Sequence, residues 1–275
     1  MFERIVKRQL EDHLETMDYF SKNQFGFRRA LSTELALSHI WHEVVSTADR
    51  GNCCLAAFLD LAKAFDCLDH SHLFSMLSHV GCSEITVAWF RSYLDRRSQV
   101  VRMGGFSSDP RQLVIGAPQG SVLGPFIFIL YVDFVLRAVE RDVGCRPVAY
   151  ADDTSLLFEA SVSNGSIDGL ADIESGIERA IHHFNRYGLV VDSSKTTIVL
   201  FHHPRRKLIT GDLSVVIQGA RIPLSSKVRC LGLILHEHMR WTPHLTSISG
   251  KCFAVIASLA RLRRTGANTS LLLQV

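Results

Sequence analysis

Apolar residues recur at helical spacing in three stretches of the chain. Leu37, Ile40, Trp41, Val44 and Val45 share one face, and Leu73, Leu77 and Val80 share another. Ile167, Leu170, Ile173, Ile177, Ile181 and Phe184 make a longer stripe at three-and-four spacing. Each pattern predicts an amphipathic helix. Between them lie short runs rich in strand formers: Cys53 to Leu59, Pro147 to Ala151, Ser155 to Phe158, Thr196 to Phe201, and Val228 to Leu235. Asp152-Asp153 separates two of these runs and predicts a hairpin. Gly104-Gly105 and Asn164-Gly165 predict turns. Strand runs separated by helices imply an α+β layer architecture. No repeat, low-complexity stretch or Pro/Gly-rich linker divides the chain, so any lobes share a continuous path.

Composition narrows the class without naming a partner. The 275 residues are 47% hydrophobic and 21% charged, as in an ordinary globular protein. A net charge of +3 is too mild to demand nucleic acid. Local basic clusters carry more information: Arg28-Arg29, Arg96-Arg97, Arg205-Arg206-Lys207 and Arg261-Leu262-Arg263-Arg264. Each is either a solvated face or a phosphate contact. The seven cysteines form no Cys-x-x-Cys pair and read as reduced, small apolar residues. The first residues mix charges and lack the apolar core of a secretory signal. The run Val122 to Leu136 is broken by Pro125 and Asp133 and falls short of the about 20 residues that span a bilayer. The expectation is an intracellular protein of nucleus or cytoplasm, with no membrane partner; oligomeric state stays open.

Carboxylates supply the candidate chemistry. Asp60 ends the apolar run Cys53 to Leu59, where a carboxylate is costly unless paired, hydrogen-bonded or metal-bound. It could equally be a strand-end or helix-capping Asp. Tyr150-Ala151-Asp152-Asp153 puts two adjacent acids at a hairpin tip, tolerable in solvent or productive around a divalent cation. Mg²⁺ takes oxygen ligands and typically uses one or two carboxylates plus substrate phosphates. Asp60 and Asp152 on neighbouring strand ends would suit two ions about 4 Å apart, which clamp the attacking and leaving oxygens of a phosphoryl transfer. The histidine pairs His202-His203 and His236/His238 lack partners at zinc spacing and read as surface or packing residues. Gly116 to Pro125 holds three glycines and two prolines in ten residues. It is either a plain turn or a loop brought against a nucleotide, with an apolar helix or strand behind it.

Taken in order, these blocks resemble the reverse transcriptases of non-LTR (LINE-type) retrotransposons, with a Jockey-like flavour. The similarity starts at Gln24-Phe25-Gly26-Phe27-Arg28 with Ser32-Thr33, then Phe58 to Asp66, Gly116 to Pro125 and Tyr150 to Thr154. It continues through Gly188 to Asp192 with Lys195-Thr196, and ends in Leu231-Gly232 through Trp241. The resemblance implies an α+β right-hand polymerase fold with an antiparallel palm sheet. Fingers would occupy 1–52 and 85–118 and palm 53–84 and 119–235. Residues 236–275 would hold the end of the primer grip and the start of a largely missing thumb. It implies an RNA-directed DNA polymerase that joins dNTPs to a DNA primer on an RNA template, with two Mg²⁺ ions or Mn²⁺ in their place. Asp60 and Asp152 would hold the ions with the Leu61 carbonyl, and Asp153 would complete the acidic site. The Ala64 and Phe65 amides would touch the triphosphate, and the Phe65 ring would act as a steric gate beneath the deoxyribose. Gln119 would sit beside the incoming nucleotide, Arg28 or Arg29 would reach its phosphates, Lys195 would protonate pyrophosphate, and Leu231-Gly232 would grip the primer.

The chain departs from the family pattern at several positions. Ala30-Leu31 stands where Gly and a basic residue are usual, Phe134 and His236 where Asp is usual, and Asp192 where Asn is usual. None of these removes a catalytic ligand. The usual Arg-Pro-Ile-Ser segment and an endonuclease domain are missing, which fits a piece of a longer reading frame. A catalytically idle RNA-binding remnant is therefore the alternative. An RNA-dependent RNA polymerase is disfavoured, because Phe65 would block a 2′-hydroxyl and Tyr-Ala precedes the Asp pair.

Overall fold

Four of the strand runs meet in one antiparallel sheet. In the computed structural model, which describes residues 1–206, 208 and 213–264, these are β1 (Cys53–Leu59), β2 (Arg146–Tyr150), β3 (Asp153–Ala160) and β4 (Thr197–Phe201). Their spatial order is β4-β1-β3-β2. Leu55 pairs with Phe158 on one side and Leu200 on the other. β1 is thus central and buried on both faces, which explains its unbroken apolar sequence. Its side chains alternate between two cores, as the two-residue period of a strand requires. Cys53, Leu55, Ala57 and Leu59 enter the larger core, and Cys54 and Ala56 the smaller.

Helices cover both faces. Chain order gives α1 (Phe2–Thr16), α2 (Thr33–Asp49), α3 (His70–His79), α4 (Glu84–Leu94), α5 (Gly124–Asp142), α6 (Leu170–Arg186) and α7 (Thr242–Arg264). The apolar face of α2 fills the smaller core with Ala36, Ile40 and Val44. The larger core draws on α1, α3, α4, α5 and α6 together, so the proposed fingers segments share one core with the proposed palm. α6 buries Ile173, Ile177, Ala180, Ile181 and Phe184. Ile167 falls outside it, in a two-residue strand paired around the Asn164-Gly165 turn.

The apolar run after the Gly-Pro loop is helix α5, buried at every position from Phe126 to Asp133. Pro125 lies in its first turn, where a missing N–H costs nothing. Its start is capped from afar: Glu3 of α1 accepts the Val122 and Leu123 N–H groups at 2.8 and 3.2 Å.

Val228 to Leu235 is not one strand. After the hairpin of β5 (Ser214–Ile217) and β6 (Ala220–Pro223), β7 (Lys227–Cys230) reverses into β8 (Leu233–His236). The reversal is the two-residue turn Leu231-Gly232, both at positive φ (45° and 88°), as tight hairpins require. α7 follows and is exposed along nearly its whole length. By length and composition it is the one helix among the described residues that could cross a bilayer. Its start is set by Trp241, whose ring lies 4.8 Å from that of Trp41 on α2. The expected thumb start covers α7; 265–275 and Lys207 lie outside the described residues. All seven cysteines are free.

Candidate active site

The three acids gather where two strand ends meet. β1 ends with Leu59 paired to Thr154, and Asp60 follows as the chain leaves the sheet. β2 and β3 are joined by Ala151-Asp152, with Tyr150 opposite Asp153. Ala151 sits at φ 58°, which turns the chain sharply enough to put Asp152 at the tip. The expected cost of a buried carboxylate does not arise: the Asp60 side chain is 44% exposed, and Asp152 and Asp153 are exposed. The strand is buried but its end is not. The acids still act on one another, since partial burial, then the charges of Asp152 and Asp60, raise the Asp153 pKa.

Lys195 supplies the countercharge. Its Nζ lies 3.3 Å from Asp60 Oδ2 and 3.4 Å from Asp192 Oδ2. Hydrogen bonding to Asp60 and then Asp192 raises its pKa, so it is a cation at neutral pH. A local turn delivers it: Asp192 N–H donates to the Asp60 carbonyl (2.9 Å), and Val191 pairs with Leu61 just above. Asp192 also accepts the Ser194 N–H and hydroxyl.

The Gly116 loop packs onto the segment after Asp60. Ala64–Asp66 is a single 3₁₀ turn entered through Lys63 at φ 48°. Ala117 N–H donates to the Phe65 carbonyl (2.9 Å) and Gly116 N–H to that of Leu68 (2.7 Å). Gly116 is at φ 90°, and a Cβ there would come within 3.0 Å of the Asp66 carbonyl oxygen, so only glycine fits. Gln119 is exposed and donates to Asp66 Oδ1 at 2.8 Å. Phe65 is half-buried, stacked 4.1 Å from the Phe128 ring, with Phe27 edge-on at 6.4 Å.

The two arginines divide. Arg28 is turned back on its own loop: Nη1 donates to the Ser21 and Gln24 carbonyls at 2.8 and 3.1 Å, and the guanidinium lies over the Phe20 ring. Arg29 is exposed, with a 3.7 Å contact to Asp12. Of the other basic clusters, Arg97 is held by the Tyr93 carbonyl and Arg206 by Gly51 and Cys53. His202 and His238 pack ring to ring at 4.6 Å. Among the described residues no group of three His, Cys, Asp or Glu side chains is arranged to hold a metal. Mg²⁺ at a nucleotide site needs fewer, because substrate phosphates complete its shell.

Asp133 had no assigned role in the sequence beyond interrupting an apolar run. It is fully buried, accepting the Ser21 N–H (2.8 Å) and Arg137 Nε (3.0 Å). The signal was present: a lone carboxylate inside an apolar helix, with Arg four residues on, must be bonded.

Comparison with known proteins bears on the family and fold of the chain. A family model described as reverse transcriptase (RNA-dependent DNA polymerase) matches residues 1–235. The probable RNA-directed DNA polymerase from transposon BS of Drosophila melanogaster is 26% identical over 92% of this chain and 28% of its own length. A putative 115 kDa protein of the type-1 retrotransposable element R1DM, also from D. melanogaster, is 30% identical over 88% of this chain and 22% of its own. The RNA-directed DNA polymerase from the mobile element jockey of the same fly is 24% identical, over 90% and 27%. The chain thus spans about a quarter of the length of these relatives. In fold it is similar to telomerase from Candida tropicalis in complex with a TWJ fragment of telomeric RNA. That match has a TM-score of 0.59 at 11% identity and covers 86% of this chain and 36% of the telomerase chain. With a family match over most of its length and relatives drawn from non-LTR elements, the chain belongs to the reverse transcriptase family, as a domain of the non-LTR retrotransposon type.

Proposed function

We propose that the chain carries the nucleotidyl-transfer centre of an RNA-directed DNA polymerase, joining deoxynucleotides to a primer 3′-hydroxyl on an RNA template. The observation that carries this is the convergence of Asp60, Asp152 and Asp153 at neighbouring strand ends, where partial burial and then the charges of Asp152 and Asp60 raise the Asp153 pKa. Such a concentration of exposed negative charge is what a pair of Mg²⁺ ions, or Mn²⁺, would neutralise. Asp60 and Asp152 would hold them with the Leu61 carbonyl. When bound, the ions lower the pKa of the attacking hydroxyl and offset charge on the triphosphate.

The chain's own groups then have defined tasks. Ala64 and Phe65 open a 3₁₀ turn, whose leading N–H groups have no carbonyl partner within it and suit phosphate oxygens. Lys195, cationic and in contact with Asp60, would give a proton to the leaving pyrophosphate. Gln119 and Asp66 form a hydrogen-bonded pair at the rim where the new base would sit. Arg29, with its head in solvent, would reach phosphates more readily than Arg28, which is bonded to its own loop. The β7–β8 turn at Leu231-Gly232 would support the primer end.

The test is Asp60→Ala and Asp152→Ala in the full-length protein. Primer extension on RNA in Mg²⁺ should fall by about 10³-fold or more, since a metal-bridging carboxylate contributes several kcal/mol to the transition state. Melting temperature should hardly move, because both carboxylates are solvent-exposed. Near wild-type extension by either variant would overturn the assignment.

A further inference from the structure

β2 is an edge strand of the catalytic sheet, with β3 as its one sheet neighbour. An edge strand ending in a two-residue turn has little to fix its tip. Here the other edge is braced by the loop before α2. Phe25 N–H donates to the Ala149 carbonyl and Ala149 N–H to the Asn23 carbonyl, both at 2.8 Å, with Gln24 beside Ala149 in a parallel bridge. One residue further, Gly26 lies directly on the turn. A Cβ at Gly26 would stand 2.2 Å from the Ala151 nitrogen, 2.9 Å from its Cα and 3.1 Å from the Tyr150 carbonyl carbon. All three atoms are backbone, so none can rotate aside. The next residue after Ala151 is Asp152.

The brace is itself held at its far end. Ser21 N–H donates to buried Asp133, and the Ser21 hydroxyl and Asn23 amide both donate to Glu140, so the loop is fastened to α5. Arg28 closes it internally through the Ser21 and Gln24 carbonyls, and fully buried Gln24 accepts the Gly26 N–H at 2.8 Å. A carboxylate that must meet an ion within a fraction of an ångström depends on such support.

We propose, on the strength of the two-carboxylate site above, that Gly26 is a positioning residue. The 21–28 loop, fastened to α5 through Asp133, presses its backbone on Tyr150-Ala151 and fixes where the Asp152 carboxylate stands relative to Asp60. Gly26 touches neither substrate nor ion; it acts through the turn.

The experiment uses Gly26→Ala in the full-length protein, with two readouts. Mn²⁺ binding to the protein alone, followed by electron paramagnetic resonance, should weaken by about tenfold or more. The kcat of primer extension should fall about 10²-fold with the KM for deoxynucleotide little changed. Asp152→Ala is the control, and should abolish the same Mn²⁺ signal. If it does not, the ion site is refuted and the positioning role with it. If Asp152→Ala loses the ion while Gly26→Ala keeps wild-type Mn²⁺ affinity and kcat, the positioning role alone is overturned. Should Gly26→Ala fail to fold, Asp133→Asn loosens the fastening at a distance and should weaken Mn²⁺ binding in the same direction, by a smaller factor. Wild-type affinity in that variant would also refute the brace.

Discussion

Phe65 has two neighbours that pull its role in different directions. Its ring stacks on fully buried Phe128, which makes it part of the core, yet it stays partly open beside exposed Phe27. A ring pinned on one face is rigid, and a rigid ring can exclude a 2′-hydroxyl where a loose one would yield. Phe65→Val should therefore raise ribonucleotide incorporation relative to deoxynucleotide, measured as single-nucleotide addition with matched substrates. It should also cost about 1–3 kcal/mol in stability, from the lost stack and the space left behind. The ratio is the discriminating quantity. A lowered melting temperature with unchanged sugar preference would leave Phe65 as a packing residue.

Between the 21–28 loop and α5, the governing group is Asp133. Burial raises its carboxyl to about 6, against the opposing pull of the Ser21 N–H, Arg137 and Arg28. Its folded value thus lies above the usual 3.8, so the folded chain binds this proton more readily than the unfolded one. The resulting stabilisation is fully present below about pH 4 and is lost as pH rises through about 6. In thermal melts, the stability of the wild type relative to Asp133→Asn should fall between pH 4 and pH 6 and then level off. A difference flat across that window would show that the proton is not taken up there. That Asp133 needs a partner was legible in the sequence, but that the partner is Ser21 was not, because the two are 112 residues apart and nothing in Ser21 marks it. Gly26 was visible only as a motif letter, for the same reason. By contrast α2, α3 and α6 were legible because one face of each meets solvent and writes a period into the chain. α5 read as helix or strand alike, since an element buried all round has no polar face to mark its period. The β7–β8 reversal hid behind Leu231, an apolar residue at a positive φ that turn chemistry rarely assigns to leucine. The acids were legible in order and spacing, while the Lys195 contact depends on a turn folded back onto Asp60.

At the scale of the molecule, α7 stands apart. Leu245, Ile248, Val255 and Ile256 are all exposed along it, and contiguous exposed apolar side chains favour association. The 275-residue chain on its own should therefore self-associate at high concentration. Replacing Val255 and Ile256 with Glu should lower the mass seen by light scattering while shifting stability by no more than about 0.5 kcal/mol. Unchanged mass would show that the stripe is innocuous. The sheet order has a consequence in time. β1 is the first sheet strand to be synthesised and ends up in the middle, between β3, which begins at Asp153, and β4, which begins at Thr197. At translation rates of about 5–20 residues per second, β1 waits on the order of ten seconds for its first neighbour. Through that interval seven apolar residues show both bare edges, the condition that favours aggregation and recruits chaperones. A ribosome that stalls after α5 leaves a chain whose proposed chemical centre cannot yet exist, because one of its three acids has been made and the other two have not.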